Sequence, residues 1–207
     1  MSEVRIIGGL YRGRKLRFKA VAGLRPSLGR VRETLFNWLQ GRIEGRRVLD
    51  LYCGSGALGV EALSRGAARV VFVDTSRTAV GTLRQNLRTL AVADSAAQVL
   101  QVHAEKYLQG SQASAEAPVD LLLLDPPFAT PDLAIRSLAL CLERRLLARD
   151  ARVYFELPRR SSDTTIEALL ALPVEILRDQ TAGDCRFLLL ELDPEDAANA
   201  AATPSID

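Results

Sequence analysis

Gly54, Gly56 and Gly59 form a G-x-G-x-x-G, with Asp50 four residues before the first glycine and Asp74 twenty residues after it. Glycines in such a turn take torsions closed to other residues and let a ligand approach the main chain, and the third lets a helix pack on the preceding strand. An acid about twenty residues on, closing the next apolar run, is placed to bind ribose hydroxyls. The pattern is that of a nucleoside-cofactor site, and Asp50 narrows the choice. A carboxylate there repels a pyrophosphate and attracts an ammonium, directly or through water. A dinucleotide therefore fits poorly, and S-adenosylmethionine, with an ammonium, a sulfonium and no phosphate, fits well. A purely local role for Asp50, capping the turn, is the competing reading.

The second candidate centre is Asp125-Pro126-Pro127-Phe128. Two prolines fix the backbone and remove amide donors. The turn thus offers acceptors, the Asp125 carboxylate and the Pro126 carbonyl, beside the Phe128 ring. That combination suits a planar substrate bearing an amino group: the amine donates while its ring stacks, a contact worth roughly 1–3 kcal/mol per base. Taken alone, the tetrapeptide is equally a rigid turn over a packed Phe.

Both centres need a scaffold, and the periodicity supplies one. Residues 48–51 read as a strand, 57–65 as a helix and 69–74 as a second strand. Ser76 caps a helix to about residue 90, with Val80, Leu83, Leu87 and Leu90 on one face. A strand at 99–103, a short helix and an aperiodic loop at 110–118 follow. Residues 119–124 read as an apolar strand buried on both faces. Thr130 and Pro131 open a helix to about 145. A strand at 152–157, a helix at 163–171 and strands at 173–178 and 186–192, turning near Gly183-Asp184, complete the series. The expectation is a doubly wound α/β domain over 48–192, a seven-stranded mostly parallel sheet with helices on both faces. Its ligands belong outside the carboxyl ends of the strands at the switch in strand order, with Asp50 and Asp125 facing one crevice. The alanine-rich, acidic tail 193–207 is expected to be disordered.

Residues 1–47 form a basic N-terminal extension, twelve Lys or Arg against three Glu, whereas the rest carries fifteen against twenty-two. Such asymmetry points to a polyanionic partner. Gly8-Gly9 and Gly13 punctuate a β-hairpin over 4–19, too small to hold a core alone. Arg12, Arg14 and Lys15 on it suit phosphate contact. An amphipathic helix over 28–39, capped by Ser27, buries Val31, Leu35, Trp38 and Leu39. Arg25, Arg30 and Arg32 are candidates to line the substrate entrance. Three scattered cysteines and one histidine give no metal spacing, no disulfide framework and no Ser-His-Asp triad. No apolar run is long enough for a membrane helix, and no secretory signal opens the chain. A cytoplasmic protein without a metal is expected.

The glycine loop, Asp74 and the Asp-Pro-Pro-Phe turn resemble the class I S-adenosylmethionine-dependent methyltransferases that act on amino groups. More narrowly, Arg5-Ile6-Ile7-Gly8-Gly9, Arg12-Gly13-Arg14-Lys15-Leu16, Arg25-Pro26-Ser27, the run from Arg30 to Leu39 and Val48-Leu49-Asp50-Leu51 resemble the RsmD family. These enzymes methylate the exocyclic N2 of a guanine in small-subunit (16S) ribosomal RNA. The resemblance, over residues 4 to about 192, implies a Rossmann-like class I methyltransferase fold and S-adenosylmethionine as cofactor, released as S-adenosylhomocysteine. By position it implies that Asp50, Gly54 and Gly56 frame the methionine part, Asp74 and Thr75 the ribose, and His103 and Ala104 the adenine. His103 departs from the family's usual Asp or Asn. Asp125, Pro126 and Phe128 become the catalytic turn. The implied partner is 16S ribosomal RNA in a small subunit or assembly intermediate, met by a monomer. Another RNA, a small molecule or a protein glutamine is the alternative methyl acceptor.

Overall fold

The computed structural model describes residues 2–18, 29–127, 130 and 132–193. Arg25, Ser27, Phe128, Pro131 and the tail from 194 lie outside the described residues. The expected hairpin is present: β1 (Ser2–Arg5) pairs antiparallel with β2 (Lys15–Phe18), Val4 opposite Leu16. Helix α1 (Gly29–Trp38) follows and buries Val31, Leu35 and Phe36.

The main sheet uses β3 (Arg47–Leu51), β4 (Arg69–Asp74), β5 (Ala97–Gln101), β6 (Val119–Leu124), β7 (Leu147–Pro158), β8 (Val174–Ala182) and β9 (Cys185–Leu192). Their order is β5-β4-β3-β6-β7-β9-β8. The first five strands run parallel, and β9 pairs antiparallel with both neighbours. Strand order reverses between β3 and β6, which opens the crevice there. Helices α2 (Ala57–Ser64) and α3 (Arg77–Thr89) pack with α1 on one face, where the core runs through Phe72, Leu83, Leu121, Tyr154 and Phe187. Helices α4 (Ala104–Gln109), α5 (Ser111–Ala115), α6 (Asp132–Glu143) and α7 (Asp163–Leu170) belong to the other, around Leu49, Leu122, Leu138 and Phe155.

Three local readings change. Strand β5 sits two residues earlier than periodicity suggests. The 110–118 loop contains the short α5, which buries Ala113; one apolar anchor in five residues gives no periodic signal. The apolar β6 carries Asp120 at the edge away from the crevice, half-buried, accepting from the Arg47 amide (2.7 Å) and the Arg46 guanidinium (3.0 Å). Among the described residues no helix is long and apolar enough to cross a membrane.

The hairpin, too small to hold a core alone, lies against the main domain. Val4, Ile6, Leu16 and Phe18 belong to the same buried cluster as Phe72 and Leu83. The Glu61 carboxylate, fully buried on α2, accepts the amides of Ile7 and Gly8, each at 2.8 Å. Ser64 at the end of α2 accepts the Leu10 and Tyr11 amides through its carbonyl and hydroxyl. Gly9 is required there: its φ is +73°, and a Cβ would collide with the Ser64 carbonyl.

Candidate active site

The glycine loop leaves β3 through a left-handed run: Tyr52 at φ 65°, Gly54 at 50° and Gly56 at 74°. Positive φ in a bulky residue costs free energy and marks a position fixed by its surroundings. The Tyr52 ring is anchored through its hydroxyl, 2.8 Å from Ser137 Oγ on α6. A Cβ at Gly56 would strike Leu83, and one at Gly59 would strike Phe72 and the Asp50 carboxylate. Gly54 and Gly56 therefore supply torsion, and Gly56 and Gly59 leave room for Leu83, Phe72 and Asp50.

Asp74 closes the loop. Its Oδ2 accepts the Gly54 amide at 2.8 Å and its Oδ1 the Ser76 amide at 2.7 Å. Each oxygen keeps a lone pair that a ribose hydroxyl can use. Ser76 caps α3 by accepting from Ala79. Thr75 is exposed beside them, and its carbonyl receives the Gln101 side-chain amide. His103, exposed, begins α4 at the same edge of the sheet, while Ala104 is buried. The Val102 amide donates to the Asp74 carbonyl, tying the two strand ends together.

Asp50 lies deeper than the sequence suggests. Strand pairing sets Asp50 beside Leu123 and Leu51 beside Leu124, so Asp125 comes two residues further out. Asp50 is 2% exposed, and its Oδ2 accepts the Gly59 amide at 3.0 Å. Burial pushes its pKa up to about 7; the Gly59 bond opposes this and the Asp74 charge adds to it. Asp50 thus pins α2 through the Gly59 amide and leaves an under-compensated carboxylate beneath the loop. A cation above the loop would favour its ionised form, whereas a diphosphate would meet two acids. Cys53 is a packing residue: burial, aided by Asp50 and Asp74, raises its thiol pKa well above the ordinary value.

Asp125 is half-buried at the mouth and Pro126 buried. The Pro127 carbonyl is taken by the amide and hydroxyl of Thr130. The Pro126 carbonyl accepts from none of the described residues. Behind Asp125 lies a cluster that sequence reasoning missed. The Tyr154 hydroxyl donates to Glu156 Oε2 at 2.6 Å, and the Cys185 thiol also hydrogen-bonds Glu156. Burial raises all three above their ordinary pKa values. Tyr154 and Glu156 alternate on one face of β7, a period-two signal visible in Val153-Tyr154-Phe155-Glu156.

The proposed RNA contacts divide. Arg30 is exposed at the start of α1. Arg32 is corrected: it is 3% exposed, donates to the Arg5 carbonyl at 3.1 Å and lies 3.8 Å from Glu61, so it cannot meet a phosphate. Lys15 is exposed but paired with Glu3 at 2.6 Å. Arg12 and Arg14 are exposed at the hairpin turn. That turn docks on the Ser64 end of α2, about 12 Å along an eight-residue helix from the glycine loop. Arg14 also donates to the Thr89 carbonyl at the far end of α3.

A family model described as conserved hypothetical protein 95 matches residues 4–191. The chain is 38% identical to ribosomal RNA small subunit methyltransferase D of Haemophilus influenzae, covering 91% of this chain and 94% of that one. It is 36% identical to the Escherichia coli protein of the same name, covering 96% and 94%. Among solved structures it resembles yhhF of Escherichia coli, with a TM-score of 0.77 and 33% identity over 93% of this chain and 99% of that one.

Proposed function

The chain belongs to the conserved hypothetical protein 95 family, the RsmD family of methyltransferases, and we propose that it transfers a methyl group from S-adenosylmethionine to the exocyclic N2 of a guanine in small-subunit (16S) ribosomal RNA. The observation that carries this reading is the placement of the Asp125-Pro126 acceptors beside β3, two residues above Asp50 and across the switch point from the glycine loop. Bound there, S-adenosylmethionine supplies an electrophilic methyl on its sulfonium. Gly54 and Gly56 frame its methionine part with Asp50 beneath, Asp74 and Thr75 its ribose, and His103 and Ala104 its adenine edge.

The chain's own task is orientation. Guanine N2 is a weak nucleophile because its lone pair is delocalised into the ring. Two acceptors, Asp125 and the Pro126 carbonyl, hold the two N–H groups so that the lone pair points at the methyl. Positioning supplies most of the acceleration, with the Asp125 charge stabilising the positive charge that grows on nitrogen. Asp125 then accepts the released proton. The base reaches this turn only out of its stack, so a loop or flipped nucleotide is the expected target. The enzyme acts as a cytoplasmic monomer on a small subunit or assembly intermediate.

The test uses labelled S-adenosylmethionine with small subunits, and with deproteinised RNA, from cells lacking the enzyme. One N2-methylguanosine in the digest is expected. Label on another nucleoside, or on neither RNA, would overturn the assignment. Asp125→Ala should lower kcat by at least roughly 100-fold while leaving cofactor affinity unchanged, read by single-turnover kinetics and calorimetry.

A further inference from the structure

The sheet divides the labour at its carboxyl edge. Strands β5, β4 and β3 carry Asp74, the glycine loop and His103, and β6 carries Asp125 at the centre. The half beyond it, β7, β9 and β8, has no assigned role. At its edge Pro158, Arg159, Arg160 and Asp184 line an open cleft of about 620 Å³. Pairing of Leu124 with Phe155 sets Asp125 level with Glu156. β7 ends at Pro158, two residues beyond that level, and Arg159 and Arg160 form the turn that follows at the same edge of the sheet. The Arg159 amide donates to the Asp184 carbonyl at 2.7 Å, which fixes the cleft floor to the start of β9.

The charges there are available. Arg186 nearby is held by Asp179 through two bonds, at 3.0 and 2.6 Å, and Arg136 faces Glu105 at 3.8 Å. Neither Arg159 nor Arg160 takes part in an ion pair among the described residues; Arg159 only reaches the Gly183 carbonyl at 3.5 Å. Both are exposed. Among the described residues that line the cleft, two arginines stand beside the one acid, Asp184. The hairpin arginines, by contrast, dock at the opposite end of α2.

We propose that this cleft is a backbone subsite, in which Arg159 and Arg160 hold phosphates of the RNA strand flanking the nucleotide presented to Asp125. Guanidinium forks match phosphate oxygens in pairs, and among the described strands the cleft lies on the side of Asp125 opposite the cofactor strands. The inference rests on the RNA reading above.

The test compares the full-length wild type with Arg160→Ala and R159A/R160A, using unmethylated small subunits and labelled S-adenosylmethionine. The double variant should raise KM for the particle roughly tenfold. Its dependence on log salt should flatten by about one to two, with kcat and cofactor affinity unchanged. Arg160→Ala, whose side chain makes no hydrogen bond among the described residues, should show a smaller change in the same direction and carries the test should the double variant melt early. A wild type that methylates RNA beside variants with unchanged KM and salt slope would overturn the subsite alone. A loss confined to kcat would overturn it as well. A wild type that leaves the small subunits unmethylated would overturn the subsite together with the reading it rests on.

Discussion

Two buried carboxylates on consecutive elements, Asp50 on β3 and Glu61 on α2, meet opposite fates. Glu61 is fully buried but surrounded by donors: the Ile7 and Gly8 amides, Arg65 Nε at 2.8 Å and the Arg32 guanidinium at 3.8 Å. Asp50 is as deeply buried, yet it receives one amide, from Gly59, and has Asp74 as a charged neighbour. The chain completes the first with its own cations and so locks the hairpin to α2. It leaves the second short of positive charge, which a cationic ligand can supply. A compensated buried charge builds fold; an under-compensated one builds a site.

The contrast can be broken by mutation. Glu61→Ala strands two amides and two guanidinium groups and should cost about 3–5 kcal/mol in chemical denaturation. Asp50→Asn should cost about 1 kcal/mol or less in the ligand-free protein, yet weaken S-adenosylmethionine binding, measured by calorimetry. Equal losses of stability would erase the distinction.

Next in size is a pH effect. Asp50 binds its proton more tightly folded, at a pKa of about 7, than unfolded, at 3.8. Between those values the native state is protonated and the unfolded state is not, so stability falls as pH rises through this window and levels above it. The ceiling is about 4 kcal/mol for this group. Asp50→Asn should remove that slope. Cofactor affinity should rise with pH up to about 7, with a proton released on binding, detectable in buffers of differing ionisation enthalpy.

Smaller effects sharpen the picture. Gly59→Ala pushes a methyl against Phe72 and Asp50 and should cost about 1–3 kcal/mol, with cofactor affinity falling in parallel. Tyr154→Phe removes one donor from buried Glu156 and should cost about 1–2 kcal/mol in thermal melts.

Much of this was legible in the residues. β4 and β6 fall where their apolar runs predict, and Ser76 caps α3 as its position before a periodic stretch suggests. Local rules suffice there because the apolar period, the cap and the turn agree. The weak element α5 and the register of β5 escaped because burial by neighbours, rather than local pattern, sets them. Arg32 was misread for a related reason. Helical spacing gives a face, but which face is buried depends on what packs there, and Glu61 lies twenty-nine residues away.

The sequence by itself determined the sheet of alternating strands and helices, the glycine turn with its acid, and the acceptor turn after β6. Each is encoded within a few residues by torsion, period and donor count. Only the tertiary structure decided that Asp50 sits beneath the loop rather than in its mouth, that the hairpin's arginines lie far from the catalytic edge, and that Arg159 and Arg160 lie near it. Those outcomes depend on strand order and on side-chain partners distant in sequence, and long-range packing fixes both.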